Sequence, residues 1–111
     1  MNLEFEIKND KLIIAIIGEL DHHSSDEVRN KIDDRIERGG CKKVILDFSN
    51  VTFMDSSGIG VIIGRYKKLK LLNSNLCIAN VNKSIKKVFE LSGIYKIIEV
   101  YSSLKEAVES F

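Results

Sequence analysis

Residues 44–69 read "VILDFSNVTFMDSSGIGVIIGRYKKL", and their pattern decides the fold. The stretch opens on an apolar run and crosses Asp55-Ser56-Ser57-Gly58. It then places Ile59, Ile62, Ile63, Tyr66 and Leu69 at helical spacing. A short apolar run bounded by polar residues reads as a buried strand, and a 3.6-residue period as an amphipathic helix. "KKVILDFS" is therefore a short buried strand, "SNVTFMDSSG" the loop after it, and the helix starts near Ser57 and ends near Asn73.

Working outward from that junction, the other segments alternate in the same way. Leu3, Phe5 and Ile7 interleave with Glu4, Glu6 and Lys8, which predicts a half-buried strand. Asn9-Asp10 signals a turn, so the denser "KLIIAIIGEL" completes a hairpin. Ser24 or Ser25 is placed to cap a helix carrying Val28, Ile32 and Ile36, stopped by Gly39-Gly40. "NLCIAN" is a strand, "NKSIKKVFELSG" a helix burying Ile85, Val88 and Phe89, and "KIIEVY" a last strand. "SSLKEAVESF" closes as a helix capped by Ser102 or Ser103. The order is ββαβαβαβα: an α/β fold with a mixed, mostly parallel sheet, over one domain spanning 1–111. In such sheets function gathers at the carboxyl ends of the strands. The segments there are "GELDHHSS" and "SNVTFMDSSG".

The composition excludes several classes. The chain is 44% hydrophobic and 30% charged with a formal net charge of +1, and its Lys and Arg are interspersed with Asp and Glu. No basic stripe points to nucleic acid. No apolar run reaches membrane-span length, and the N-terminal "MNLEFEIKND" has no apolar signal-peptide region. Cys41 and Cys77 form no CxxC pair, and Cys77 reads as a small core side chain. A reduced cytoplasmic setting, a monomer and no cofactor are the expectations, the monomer because no strand edge or apolar stripe of the pattern lacks a cover.

The chemistry-bearing residues admit several readings. A hydrolase elbow needs G-x-S-x-G, which is absent, although Asp21, His22 and His23 offer an acid and a base for Ser56. Gly58, Gly60 and Gly64 follow G-x-G-x-x-x-G rather than a dinucleotide fingerprint. A hydrolytic or nucleotide-sensing domain built on the Ser56/Gly58 turn is the alternative reading. Asp21-His22-His23 lacks the further histidines a metal site needs, and Asp47 lacks the partners of a phosphoacceptor aspartate. Two readings of the serines stay open from the residues alone. Ser56 and Ser57 cap the helix, or Ser56 is modified by a separate kinase. A helix N-terminus favours the second chemistry, because its orphan N–H groups and positive dipole end accept an anion.

Three segments, "GELDHHSS", "VILDFSNVTFMDSSGIGVIIGRYK" and "VFELSGIYKII", together resemble the anti-sigma factor antagonist family, whose fold is the STAS domain. The resemblance spans essentially the whole chain, and Leu-Asp-His-His narrows it to the sporulation branch. One departure is Ile59, where leucine is commoner in the family. The resemblance implies a partner-switching module that is not an enzyme. Ser56 would be the phosphoacceptor. The partner would be the anti-sigma F factor, a dimeric, ATP/ADP-bound serine kinase, and a phosphoserine phosphatase would reset the switch. Asp21 resembles a residue that docks on the kinase; His22, Asp55, Ser57, Gly58 and Gly60 would share its surface. Gly58 and Gly60 would keep the first helical turn open so that the kinase can approach Ser56.

Overall fold

The computed structural model describes residues 2–111. Five strands and four helices alternate: β1 (Asn2–Lys8), β2 (Lys11–Leu20), α1 (Ser25–Glu37), β3 (Lys43–Met54), α2 (Ser56–Leu71), β4 (Asn75–Ala79), α3 (Lys83–Ser92), a 3-10 turn (Ile94–Lys96), β5 (Glu99–Tyr101) and α4 (Leu104–Ser110). The strands lie in chain order in one sheet, with β1 antiparallel to β2 and all other pairs parallel. The mixed α/β architecture read from the alternation is the one observed.

Each crossover steps to the next strand in the same direction. Right-handed connections of that kind deliver successive helices to one face of the sheet. Val28, Ile32 and Ile36 of α1, Ile62 and Leu69 of α2, and Ile85 and Phe89 of α3 accordingly share one core with Ile14, Leu46 and Ile78 of the strands. Phe48 and Phe89 meet edge to face at 5.8 Å in its midst. The opposite face is covered by α4 alone, through Ala107 and Val108 against Ile13, Ile45 and Cys77. Ser103 caps α4 by accepting from the Glu106 N–H at 3.1 Å, as expected of one of the two serines.

Three expectations change. "SNVTFM" is not loop but strand: β3 runs on to Met54 because β2 also continues to Leu20 and pairs with it. The ladder survives two register shifts, near Ile17 and at Gly18, whose φ of +116° suits glycine. The last strand begins only at Glu99, since residues before it wind into the 3-10 turn that follows Gly93, the left-handed stop of α3. Apolar surface is also less completely covered than the pattern implied. Leu71 and Leu91 are 86% and 91% exposed, and Phe5 and Ile7 lie open on the edge strand β1.

Candidate functional site

At the carboxyl ends of β2 and β3 the chain turns twice, and Asp55 ties the turns together. Its extended backbone places it as the N-cap of α2, and its Oδ1 accepts from the Ser57 N–H at 2.8 Å. Its Oδ2 accepts from the His22 N–H at 3.2 Å, and its own N–H donates to the Leu20 carbonyl at 3.3 Å. One carboxylate thus starts the helix and holds the 21–24 turn beside it. Sequence reasoning placed Asp55 on the surface but gave the cap to the serines. The correction follows from backbone geometry, since both serines already lie inside α2.

The 21–24 turn has its own lock. Asp21 Oδ1 accepts from the N–H groups of His23 at 2.9 Å and Ser24 at 3.1 Å. Partial desolvation works against ionisation of Asp21, but these donors and the nearby His23 outweigh it and hold the carboxyl below its usual range. Asp21 is therefore charged at neutral pH. Ser24 sits at the N-cap position of α1, yet its hydroxyl points back to the Glu19 carbonyl at 2.7 Å and does not cap the helix. His22 and His23 are exposed, with ring centroids 4.1 Å apart.

Ser56 is the first residue of α2 and is exposed. Among the described residues its hydroxyl meets no hydrogen-bond partner, neither histidine included. Two of the adjacent helix-end donors are already committed. Asp55 Oδ1 takes the Ser57 N–H, and the Asp55 carbonyl takes that of Gly58 at 3.0 Å. An anion on Ser56 therefore finds fewer free donors than the sequence pattern suggested. It faces solvent next to Asp55, whose carboxylate also holds the 21–24 turn.

Gly58 and Gly60, expected to open the helix to a partner, do different things. A Cβ on Gly58 would stand 2.4 Å from Met54 Cγ and 3.1 Å from Leu20 Cγ, so this glycine faces the core and lets α2 seat on the strand ends. A Cβ on Gly60 meets nothing within 4 Å, and that residue is exposed. Gly58→Ala is expected to lower stability by about 1–2 kcal/mol, because overpacking against a buried methionine outweighs the helix-propensity gain. Gly60→Ala should be neutral or stabilising by up to about 1 kcal/mol. Urea denaturation of the two variants checks the contrast. Equal midpoints would show that Met54 swings aside freely.

Asp55→Ala removes both of that carboxylate's bonds and should cost about 1–2 kcal/mol. In a domain of this size that lowers Tm by roughly 4–12 °C. A thermal melt of Asp55→Ala within 1 °C of the unmodified chain would refute the clamp. Phe53, half exposed at the end of β3, was not singled out as a site residue. The available signal was an aromatic on the solvent side of an alternating run, hidden by reading that run as loop. Among the described residues no group of three His, Cys, Asp or Glu side chains is placed to hold a metal ion. No helix of the described residues is long and apolar enough to cross a membrane.

Comparison with known proteins places this geometry in context. The family model described as the STAS domain matches residues 2–107. The anti-sigma F factor antagonist of Paenibacillus polymyxa is 40% identical over 105 residues, covering 93% of this chain and 90% of that protein. The solved structure of the anti-sigma factor antagonist SpoIIAA in its unphosphorylated form superposes with a TM-score of 0.81 at 30% identity, covering 97% of this chain and 94% of that one. The Bacillus cell fate determinant SpoIIAA in the phosphorylated form gives a TM-score of 0.73 at 30% identity, covering 97% of both chains.

Proposed function

Because this chain belongs to the anti-sigma factor antagonists of the STAS domain family, we propose that its unphosphorylated form binds an anti-sigma F factor that is also a serine kinase, and that phosphorylation of Ser56 ends the complex. The kinase's ATP supplies the γ-phosphoryl group, ADP leaves, and the Ser56 hydroxyl proton passes to a base on the kinase. A phosphoserine phosphatase then restores the hydroxyl.

One observation carries this reading: an exposed serine hydroxyl with no partner among the described residues, on the first residue of α2, next to the Asp55 carboxylate that ties the 21–24 turn to the helix. A hydroxyl already bound inside its own domain would have to be released before transfer. This one is free to enter another protein's active site. The solved phosphorylated form of a 30% identical relative supports the same chemistry here. Asp21, His22, Ser57 and Gly60 surround Ser56 as the docking surface, and Phe53 adds an aromatic anchor at the same end of the sheet. Asp55 organises that surface, and Gly58 seats the helix that presents it.

The test is to incubate the protein with ATP alone and then with ATP and its cognate anti-sigma factor, mapping phosphate by mass spectrometry. Phosphate on Ser56 only in the second reaction is expected. Phosphate on Ser57 instead, or none on Ser56 while sigma factor is still released and recaptured, overturns the assignment.

A further inference from the structure

A cavity lies at the far ends of the strands from Ser56, where α1 and α2 both terminate. It has a volume of about 640 Å³, within the range of small-molecule sites. Its floor is apolar and buried: Leu12 of β2, Ile36 of α1, Val44 of β3 and Leu69 of α2. Its mouth is apolar too, and wet. Leu71 and Leu72 are 86% and 52% exposed, an arrangement that leaves large aliphatic side chains without cover.

The polar part of the lining is biased in sign. Arg35, Lys42 and Lys68 share the lining with one carboxylate, Glu37, which Lys68 binds at 2.8 Å; Asp33, 3.6 Å from Lys68, lies outside the lining and is paired with Arg65. Arg35 donates only to the neutral Gly39 carbonyl, at 3.1 Å, and neither it nor Lys42 has a carboxylate partner among the described residues. The carboxyl ends of α1 and α2 converge here, and two helix dipoles offset about one elementary charge. About one positive charge is left over, and Lys42 belongs to neither helix.

We propose that this cavity binds a free amphipathic anion, a medium- or long-chain carboxylate, with its alkyl chain on Leu12, Ile36 and Leu69 and its head group at Arg35 and Lys42. A single uncompensated positive charge beside an apolar floor matches one carboxylate on an alkyl chain. A cationic amphiphile would meet that charge unfavourably, and a neutral one would leave it unanswered. The site shares no residue with the Ser56 surface, so it stands or falls independently of the switch.

The test uses the full-length, isotope-labelled protein titrated with laurate below its micelle concentration, followed by amide chemical shifts. Saturable shifts at Gly39, Gly40, Leu71 and Leu72, with the Ser56 region unmoved, are expected. Lys42→Gln should weaken binding by up to about fivefold, as for a partly exposed ion pair. Leu72→Glu removes apolar wall and adds a repelling charge, so it should weaken binding by at least about tenfold while leaving the circular dichroism spectrum unchanged. Cys41 lines the cavity, whereas Cys77 is fully buried, its thiol pushed up to about 12 by desolvation. Bound laurate should therefore slow alkylation of Cys41 by N-ethylmaleimide several-fold. The absence of saturable shifts, equal affinity for dodecyltrimethylammonium, or an unchanged Cys41 rate at saturating laurate each overturns the proposal.

Discussion

Phosphorylated on Ser56, the protein should bind its anti-sigma factor roughly 100- to 1,000-fold more weakly, with an unchanged circular dichroism spectrum. The estimate rests on stranding a near-dianion in a protein contact, which costs several kcal/mol unless a cation meets it; each 1.4 kcal/mol is a factor of ten. The local structure makes that charge hard to absorb. The Ser57 and Gly58 N–H groups are taken by Asp55, and the carboxylates of Asp55 and Asp21 stand on the same surface. The fold should tolerate the modification, since Ser56 is exposed and its hydroxyl supports nothing. Ser56→Asp brings one charge in place of about −1.5 to −2 and should show a smaller loss, tenfold or more. Ser56→Ala should bind as the unmodified chain does. Calorimetric titration of the three forms decides the matter: a phosphorylated form within threefold of the unmodified one would remove charge as the switch.

The fold was legible because most of its signals are local. Leu3, Phe5 and Ile7 alternate, Val28, Ile32 and Ile36 repeat every four residues, and Gly93 stops α3 as a left-handed glycine does. The misreadings share a physical cause: each depends on where the fold places a group that no local period reports. Asn50 and Val51 read as loop, yet the ladder with β2 carries them as strand. Ser24 reads as a cap, but its hydroxyl donates to the Glu19 carbonyl and makes no cap bond to α1. At the site, Ser56 and Asp21 were legible from motif. The role of Asp55 was not, because its second bond reaches His22, thirty-three residues away. Gly58 was misjudged for a similar reason. Whether a helical glycine faces a partner or the core depends on Met54 and Leu20, and no local pattern reports where they sit.

Among the described residues three ion pairs join the helix that presents Ser56 to its neighbour, and neither the periodicity of α1 nor that of α2 discloses the most buried of them. Arg65 Nε lies 2.7 Å from Asp33 Oδ1, with side chains only 11% and 21% exposed. The two atoms are close without hydrogen-bond alignment, so the contact is chiefly coulombic. Burial lowers the Arg65 pKa, Asp33 raises it, and the nearby Arg29 lowers it again. Arg65 nevertheless remains charged at any working pH. Asp33→Ala would therefore leave a desolvated guanidinium facing another cation. Removing one partner of a fully buried pair costs about 3–5 kcal/mol; with this residual exposure we expect about 2–3 kcal/mol. That corresponds to a fall in Tm of roughly 8–18 °C. Lys68 should be less affected, since it keeps Glu37 at 2.8 Å when Asp33, 3.6 Å away, is gone. The double variant Asp33→Leu/Arg65→Met should recover most of the loss, because two apolar side chains can fill the α1–α2 seam without a desolvated charge. Thermal melts of the single and double variants close the cycle. A double variant no more stable than Asp33→Ala would mean that the pair contributes shape to the seam rather than charge balance.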